Sequence, residues 1–188
     1  MVERVGRLFL GIPLSDEVRH GLVAHLQQAL GERPLPGKPV VPQNWHLTLR
    51  FLGQVEVVAY EKLLAELDQA ALGEPFTVRF AGLGAFPRPA RATVLWLGVG
   101  EGEQELRWLA GEVAVSLERA GFTPEERPFA AHLTLSRIRP HQDVRPLLEA
   151  VPSFPLPLPV GRVVVFRSHL GGGPARYEEL ESFQLSTL

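Results

Sequence analysis

His46-Leu47-Thr48-Leu49 and His132-Leu133-Thr134-Leu135 are the same four residues, once in each half of a 188-residue chain. Each copy follows a loop, has a bulky residue nearby (Trp45 or Phe129) and runs into an apolar stretch. Such self-similarity is read first, because a duplicated unit dictates the architecture around it. Side chains alternate along a strand, so His46 and Thr48 share one face while Leu47 and Leu49 share the other. His132 and Thr134 stand in the same relation to Leu133 and Leu135. Each tetrapeptide thus buries two leucines and presents an imidazole beside a hydroxyl. Two such strands facing across a groove oppose two histidines flanked by two threonines. A single strand histidine is more often a satisfied polar group than a catalyst. Here packing accounts for the repeated leucines and has no use for both repeated polar residues.

Outward from the repeat, helices and strands interleave. Leu8 to Ile12 reads as a buried strand. Ser15 or Asp16 caps a helix whose Val18, Leu22, Leu26 and Leu30 recur every four residues, with Gly31 as its stop. Pro34 to Pro42 reads as loop, Trp45 to Leu52 as strand, and Val57 to Leu72 as a second helix ended by Gly73. Phe76 to Phe80 is a short strand, Gly82 to Pro89 a loop, and Thr93 to Val99 a strongly apolar strand. A third helix carries Leu106, Leu109, Val113 and Leu117 on one face. His132 to Ile138 is a strand, Asp143 caps a short helix through Leu148, and the proline-rich run from Pro152 to Pro159 suits an edge or extended crossover. Arg162 to Phe166 and Tyr177 to Leu185 are final strands joined by the Gly171-Gly172-Gly173-Pro174 turn. The spacing lacks the regularity of a doubly wound fold and predicts α+β with mostly antiparallel sheet. No segment reads as an interdomain linker, so residues 1–188 are expected to form one bilobal unit.

Composition narrows the function. Apolar residues make up 45% of the chain and charged residues 21%, with a formal net charge of −2, so the chain is globular and any polyanion must be met by a local patch. Cysteine is absent, which excludes disulfides, thiolate metal sites and thiol nucleophiles. No apolar run approaches the roughly 20 residues of a membrane span, and the N-terminus lacks a secretory core, so a cytoplasmic location is expected. Catalytic zinc usually takes three protein ligands, whereas neither tetrapeptide has an adjacent carboxylate and no H-E-x-x-H pattern occurs. Paired histidines and threonines suit a phosphodiester instead. One imidazole takes a proton from water and the other protonates the leaving oxygen, while the hydroxyls hold non-bridging oxygens. Such a pair predicts a bell-shaped pH profile centred near neutrality. His20, His25, His141 and His169 lack any such pattern.

Asn44-Trp45-His46-Leu47-Thr48-Leu49-Arg50-Phe51-Leu52-Gly53 resembles the first signature of the RNA 2′,3′-cyclic phosphodiesterases, historically called 2′-5′ RNA ligases, within the two-histidine phosphoesterase superfamily. Phe129-Ala130-Ala131-His132-Leu133-Thr134-Leu135-Ser136-Arg137 resembles the second, with Ala131 where the family commonly has proline. Similar stretches extend from Arg7-Leu8-Phe9-Leu10 through Phe86-Pro87-Arg88-Pro89 to Tyr177-Glu178-Glu179-Leu180. The resemblance implies a bilobal fold with a pseudo-two-fold axis and the active site between the lobes. It implies His46 as acid, His132 as base, and Thr48, Thr134 and Arg137 on the phosphate, with no cofactor and no metal. The implied reaction opens an RNA terminal 2′,3′-cyclic phosphate to a 2′-phosphomonoester, with 2′-5′ ligation as its reversible counterpart. The implied partners are RNA ends, tRNA fragments among them, with no membrane and no obligate protein partner. Two other readings share these residues: a phosphodiesterase for small cyclic or 2′-5′-linked nucleotides, and a binding module without turnover.

Geometry sets conditions on two arginines. Arg137 lies five residues after His132, so a regular strand points it away from the histidine, and a bulge near Ser136 is needed to bring it round. Arg50, four residues after His46, has the parity to line the outer groove. Around the second copy Arg127, Arg137, Arg139, His141 and Arg145 make a basic stretch, and Arg88 and Arg91 follow Phe86. Trp45, Phe86 and Phe129 are candidates to stack a terminal base.

Overall fold

The computed structural model describes residues 1–187. Chain order gives β1 (Arg4–Pro13), α1 (Asp16–Leu30), β2 (Lys38–Pro39), β3 (His46–Glu56), α2 (Val57–Asp68), β4 (Phe76–Val78), β5 (Phe80–Phe86), β6 (Ala92–Val99), α3 (Glu103–Arg119), β7 (His132–Gln142), α4 (Arg145–Leu148), β8 (Leu158–Val160), β9 (Arg162–His169) and β10 (Arg176–Gln184). The Ser15 side chain accepts from the Val18 amide to start α1, and the helix buries its four-residue stripe of Val18, Leu22, Leu26 and Leu30.

Two four-stranded antiparallel sheets form, ordered β10-β9-β1-β3 and β2-β7-β6-β5. The units β1-α1-β3-α2 and β6-α3-β7-α4 repeat one another, each with its His-Leu-Thr-Leu opening the second strand. The strand that follows each unit then crosses to the other sheet. β5 pairs with β6, and β9 pairs with β1. The short lead-in strands β4 and β8 pair with each other where the two crossings meet. The fold is therefore a bilobal α+β structure with pseudo-two-fold symmetry.

Two readings change. Gly82 to Phe86, expected as loop, belongs to β5, because the Trp96 indole of the neighbouring strand lies over Gly84 where a side chain would stand. The Pro34–Pro42 loop contains β2, which adds Lys38 and Pro39 to the edge of β7. The leucines of both tetrapeptides, Leu47, Leu49, Leu133 and Leu135, enter one continuous core with Leu8, Leu10 and the Leu106–Leu117 face of α3. The motif strands β3 and β7 lie side by side in space, so their polar faces border one groove. Among the described residues no helix is long and apolar enough to cross a membrane.

Candidate active site

The two imidazoles are fixed in the same way. His46 Nδ1 lies 2.7 Å from the Asn44 carbonyl oxygen, and His132 Nδ1 lies 2.6 Å from the Ala130 carbonyl oxygen. A carbonyl only accepts, so each Nδ1 carries hydrogen and donates, which leaves Nε2 as the atom that exchanges a proton. In both cases the acceptor lies two residues before the histidine, so the duplication extends to the tautomer. His46 Nε2 meets the Thr48 hydroxyl at 2.8 Å. Aromatic rings frame both: Phe9 stands 4.7 Å from the His46 ring and Tyr177 meets it edge-on at 5.3 Å, while Phe86 meets His132 edge-on at 5.0 Å.

The bulge required by the parity argument is present. In the β6–β7 ladder Trp96 faces Thr134 and Leu95 faces Ser136, so Leu135 has no partner of its own. Leu135 and Ser136 are consecutive buried residues, and the alternation resumes with Arg137 exposed on the side of His132 and Thr134. Burial lowers the pKa of both histidines. For His46 it falls to about 4, mainly through loss of hydration, with the Arg137 and His132 charges adding to the effect and the Asn44 carbonyl opposing it. For His132 burial again dominates, opposed by the Ala130 carbonyl and reinforced by Arg137. Arg137 thus acts electrostatically on both rings. Chemically, this is a pair of neutral imidazoles sharing a groove with two hydroxyls and a cation, suited to moving protons around a bound anion. Among the described residues no group of three or more His, Asp or Glu stands close enough to hold a metal ion.

The sequence profile of LigT-like phosphoesterases matches this chain twice, over residues 12–96 and again over 97–175, one match for each copy of the tetrapeptide. The chain belongs to that family. A Thermus thermophilus relative named RNA 2′,3′-cyclic phosphodiesterase is 35% identical over 189 residues, covering 95% of this chain and 90% of its own. An Aeropyrum pernix protein of the same name is 41% identical over 122 residues, covering 63% of this chain and 67% of its own. The crystal structure of E. coli LigT complexed with 3′-AMP superposes with a TM-score of 0.81 at 27% identity, covering 98% of this chain and all of that one.

Several flanking residues of this LigT-like chain lie elsewhere than their sequence spacing suggests. Trp45 is 6% exposed and belongs to the core, so it does not stack a base. Phe86 packs against His132 and Trp96, and Phe129 is half-buried against the core at the groove wall. Arg50 turns from the histidine side, because β3 carries its own bulge: Thr48 faces Gly11 and Arg50 faces Leu10, leaving Leu49 unmatched. The Arg50 guanidinium donates to the Thr123 carbonyl and approaches Glu125 at 3.9 Å, tying β3 to the loop after α3. The same bulge brings out Phe51, which is 63% exposed and 5.8 Å from Phe9 on the His46 side. Phe51 is the positional twin of Arg137, five residues after its histidine, and the sequence reading overlooked it. Arg145 is held by Asp143 and is not free for an anion.

Proposed function

We propose that residues 1–188 act as one bilobal hydrolase that opens the terminal 2′,3′-cyclic phosphate of RNA to a 2′-phosphomonoester. The observation that supports this most directly is the matched pinning of both Nδ1 atoms, which gives one groove two Nε2 atoms ready for proton transfer. His132 Nε2 takes a proton from water as the water oxygen bonds to phosphorus. The P–O3′ bond breaks, and protonated His46 gives its Nε2 proton to the departing O3′. The products are a 2′-phosphate and a free 3′-hydroxyl, with the His132 proton returning to His46 through solvent. Thr48, Thr134 and Arg137 hold the non-bridging oxygens, whose charge grows as the new bond forms. Attack by the 5′-hydroxyl of a second RNA in place of water, with the same P–O3′ bond breaking and His46 protonating O3′, yields the 2′-5′ linkage. Phe51 supplies a face for the terminal base, since every base stacks on an exposed ring. Relatives named RNA 2′,3′-cyclic phosphodiesterase support cyclic-phosphate RNA ends as the substrate class, and tRNA fragments in the cytoplasm are RNA ends this chemistry fits.

Product analysis after incubation with cyclic-phosphate RNA tests the proposal. A 2′-phosphate end is expected, with His46→Ala and His132→Ala each slowing turnover by about 10²–10⁴-fold. A 3′-phosphate product overturns the assignment of His46 to O3′, and abolition of turnover by chelator, restored by added divalent metal, overturns the paired-histidine mechanism.

A further inference from the structure

We propose that the outward face of β7 beyond its bulge, with Lys38 of β2 beside it, is a track for the RNA backbone on the 5′ side of the reacting end. The inference rests on the hydrolase reading above and extends it from the terminal phosphate to the chain that bears it.

Lys38 stands directly opposite Arg137 in the antiparallel β2–β7 register. Residues opposed in this way share a face, and like charges so placed destabilise the pairing. Arg139 follows on the same side, exposed, with the buried Ile138 between it and Arg137. Among the described residues none of these three cations is in an ion pair. A chain of net charge −2 thus leaves three neighbouring cations without carboxylates and spends stability to place two of them face to face. An anion between them converts that repulsion into binding.

Lys38 and Arg137 adjoin the histidines, with Arg139 two residues farther along β7. Lys38, Asn44, Arg137 and Tyr177 line a pocket of about 160 Å³, and Tyr177 is the residue packed edge-on against His46. The Asn44 amide donates to the Ala175 carbonyl at 2.6 Å, which fixes the β9–β10 connection as its far wall. A second cavity of about 400 Å³, between β3 and α3 and reaching Thr48, differs in character. It offers Phe51 and Phe129, and of its three arginines Arg50 is held by the Thr123 carbonyl and Arg107 by Glu103, which leaves Arg127 at its rim. The base leaves the ribose at C1′ and the chain continues from C5′, so the two extend to different ends. The aromatic end suits the base and the cationic end suits the phosphodiesters. Lys38 takes the first phosphate upstream of the terminal nucleoside and Arg139 the next. These contacts read no base, so the track gives length preference without sequence preference.

The test compares kcat/KM on a nucleoside 2′,3′-cyclic phosphate, on dinucleotides with the same cyclic end joined by a phosphodiester or by an uncharged methylphosphonate, and on the corresponding trinucleotide. The wild-type protein should favour the phosphodiester dinucleotide over the methylphosphonate by about tenfold, the worth of one hydrogen bond to a charged group. Lys38→Gln should bring that ratio near one and Lys38→Arg should restore it. Arg139→Gln should lower the trinucleotide rate more than the dinucleotide rate, and each lost cation should flatten the salt dependence on a log–log plot by about 0.7. A wild-type ratio of one, or a Lys38→Gln loss equal on all substrates, overturns the track. An equal Arg139→Gln effect on dinucleotide and trinucleotide also overturns it, because the site then ends at one phosphate. No turnover of any substrate by the wild-type protein overturns the hydrolase reading itself and this inference with it.

Discussion

Two imidazoles that both prefer to be neutral must share one proton before the reaction can run, and this moves the pH dependence away from neutrality. The active form has one ring charged and the other not. Below both pKa values both rings are charged, and above both neither is, so kcat/KM peaks between the two. Burial and Arg137 hold both rings below the ordinary 6.5, His46 at about 4, so the peak for free enzyme and substrate lies on the acid side of 6.5. Bound phosphate stabilises either imidazolium, so kcat peaks at higher pH than kcat/KM. Arg137→Gln removes a cation that disfavours both charged rings, and therefore moves the kcat/KM maximum to higher pH while lowering its height. A pH–rate profile of each protein measures this, with NMR titration of the imidazoles in the free state alongside. A maximum that stays in place in the variant contradicts the electrostatic role of Arg137. The residue types and their pairing were legible in the repeat; the shift was not. It comes from Phe9, Phe86, Tyr177 and a cation gathering around the rings, which only the folded chain brings together.

The elements show where spacing arguments succeed and where they stop. Helices α1 and α3 follow from apolar stripes at three- and four-residue spacing, since an amphipathic helix has one way to bury its face. Strand parity misplaced Arg50 and, for Arg137, correctly required a bulge; both bulges sit at one place, the second leucine of each repeat. The bulge in β3 turned Arg50 away and brought Phe51 out, and the bulge in β7 did the same for Ser136 and Arg137. Overlaying the two copies supplies the missing signal, because a bulge demanded by Arg137 is demanded of its twin Phe51 as well. Strand β5 was misread because Gly82 and Gly84 mimic a turn, whereas Gly84 is small to admit the Trp96 ring from the next strand. Strand β2 depends on another close approach. Gly37 has φ +73°, and a Cβ there would overlap the Arg137 carbonyl, while the Ser136 hydroxyl donates to the Pro36 carbonyl beside it. Gly37→Ala should therefore push β2 from β7 and cost about 1–3 kcal/mol in stability, by backbone strain. Denaturant unfolding reads the cost, and faster amide exchange at Val40, whose N–H donates to the Leu135 carbonyl at 2.8 Å, reads the displacement. An unchanged midpoint would show that β2 is not held in this way.

At the scale of the whole molecule the exchange of β5 and β9 decides how the two lobes hold together. Each sheet takes strands from both ends of the repeat, so neither lobe completes its hydrogen-bond ladder without chain from the other. The core is shared in the same sense: Leu47 and Leu49 of one sheet and Leu133 and Leu135 of the other belong to a single buried cluster with α3. Opening one lobe strips partners from β1 or β6 in the remaining sheet and exposes leucines on both sides of the groove. Chains beyond about 150 residues often populate unfolding intermediates, but that tendency assumes parts able to stand alone. Here the expected result is one cooperative transition. Two probes report on the lobes separately, Trp45 beside β3 and Trp96 on β6, once exposed Trp108 is replaced by Phe. Neither indole N–H of Trp45 or Trp96 has a protein partner, so replacing either one by Phe removes no hydrogen bond between residues. The Trp45-only and Trp96-only proteins should give urea transitions whose fluorescence midpoint coincides, in each, with that of its own circular-dichroism curve. A fluorescence midpoint that departs from the circular-dichroism midpoint in either protein would show that one lobe opens while the other remains folded. The groove would then be a hinge between independent units rather than a fixed seat that holds two histidines on opposite sides of one phosphorus atom.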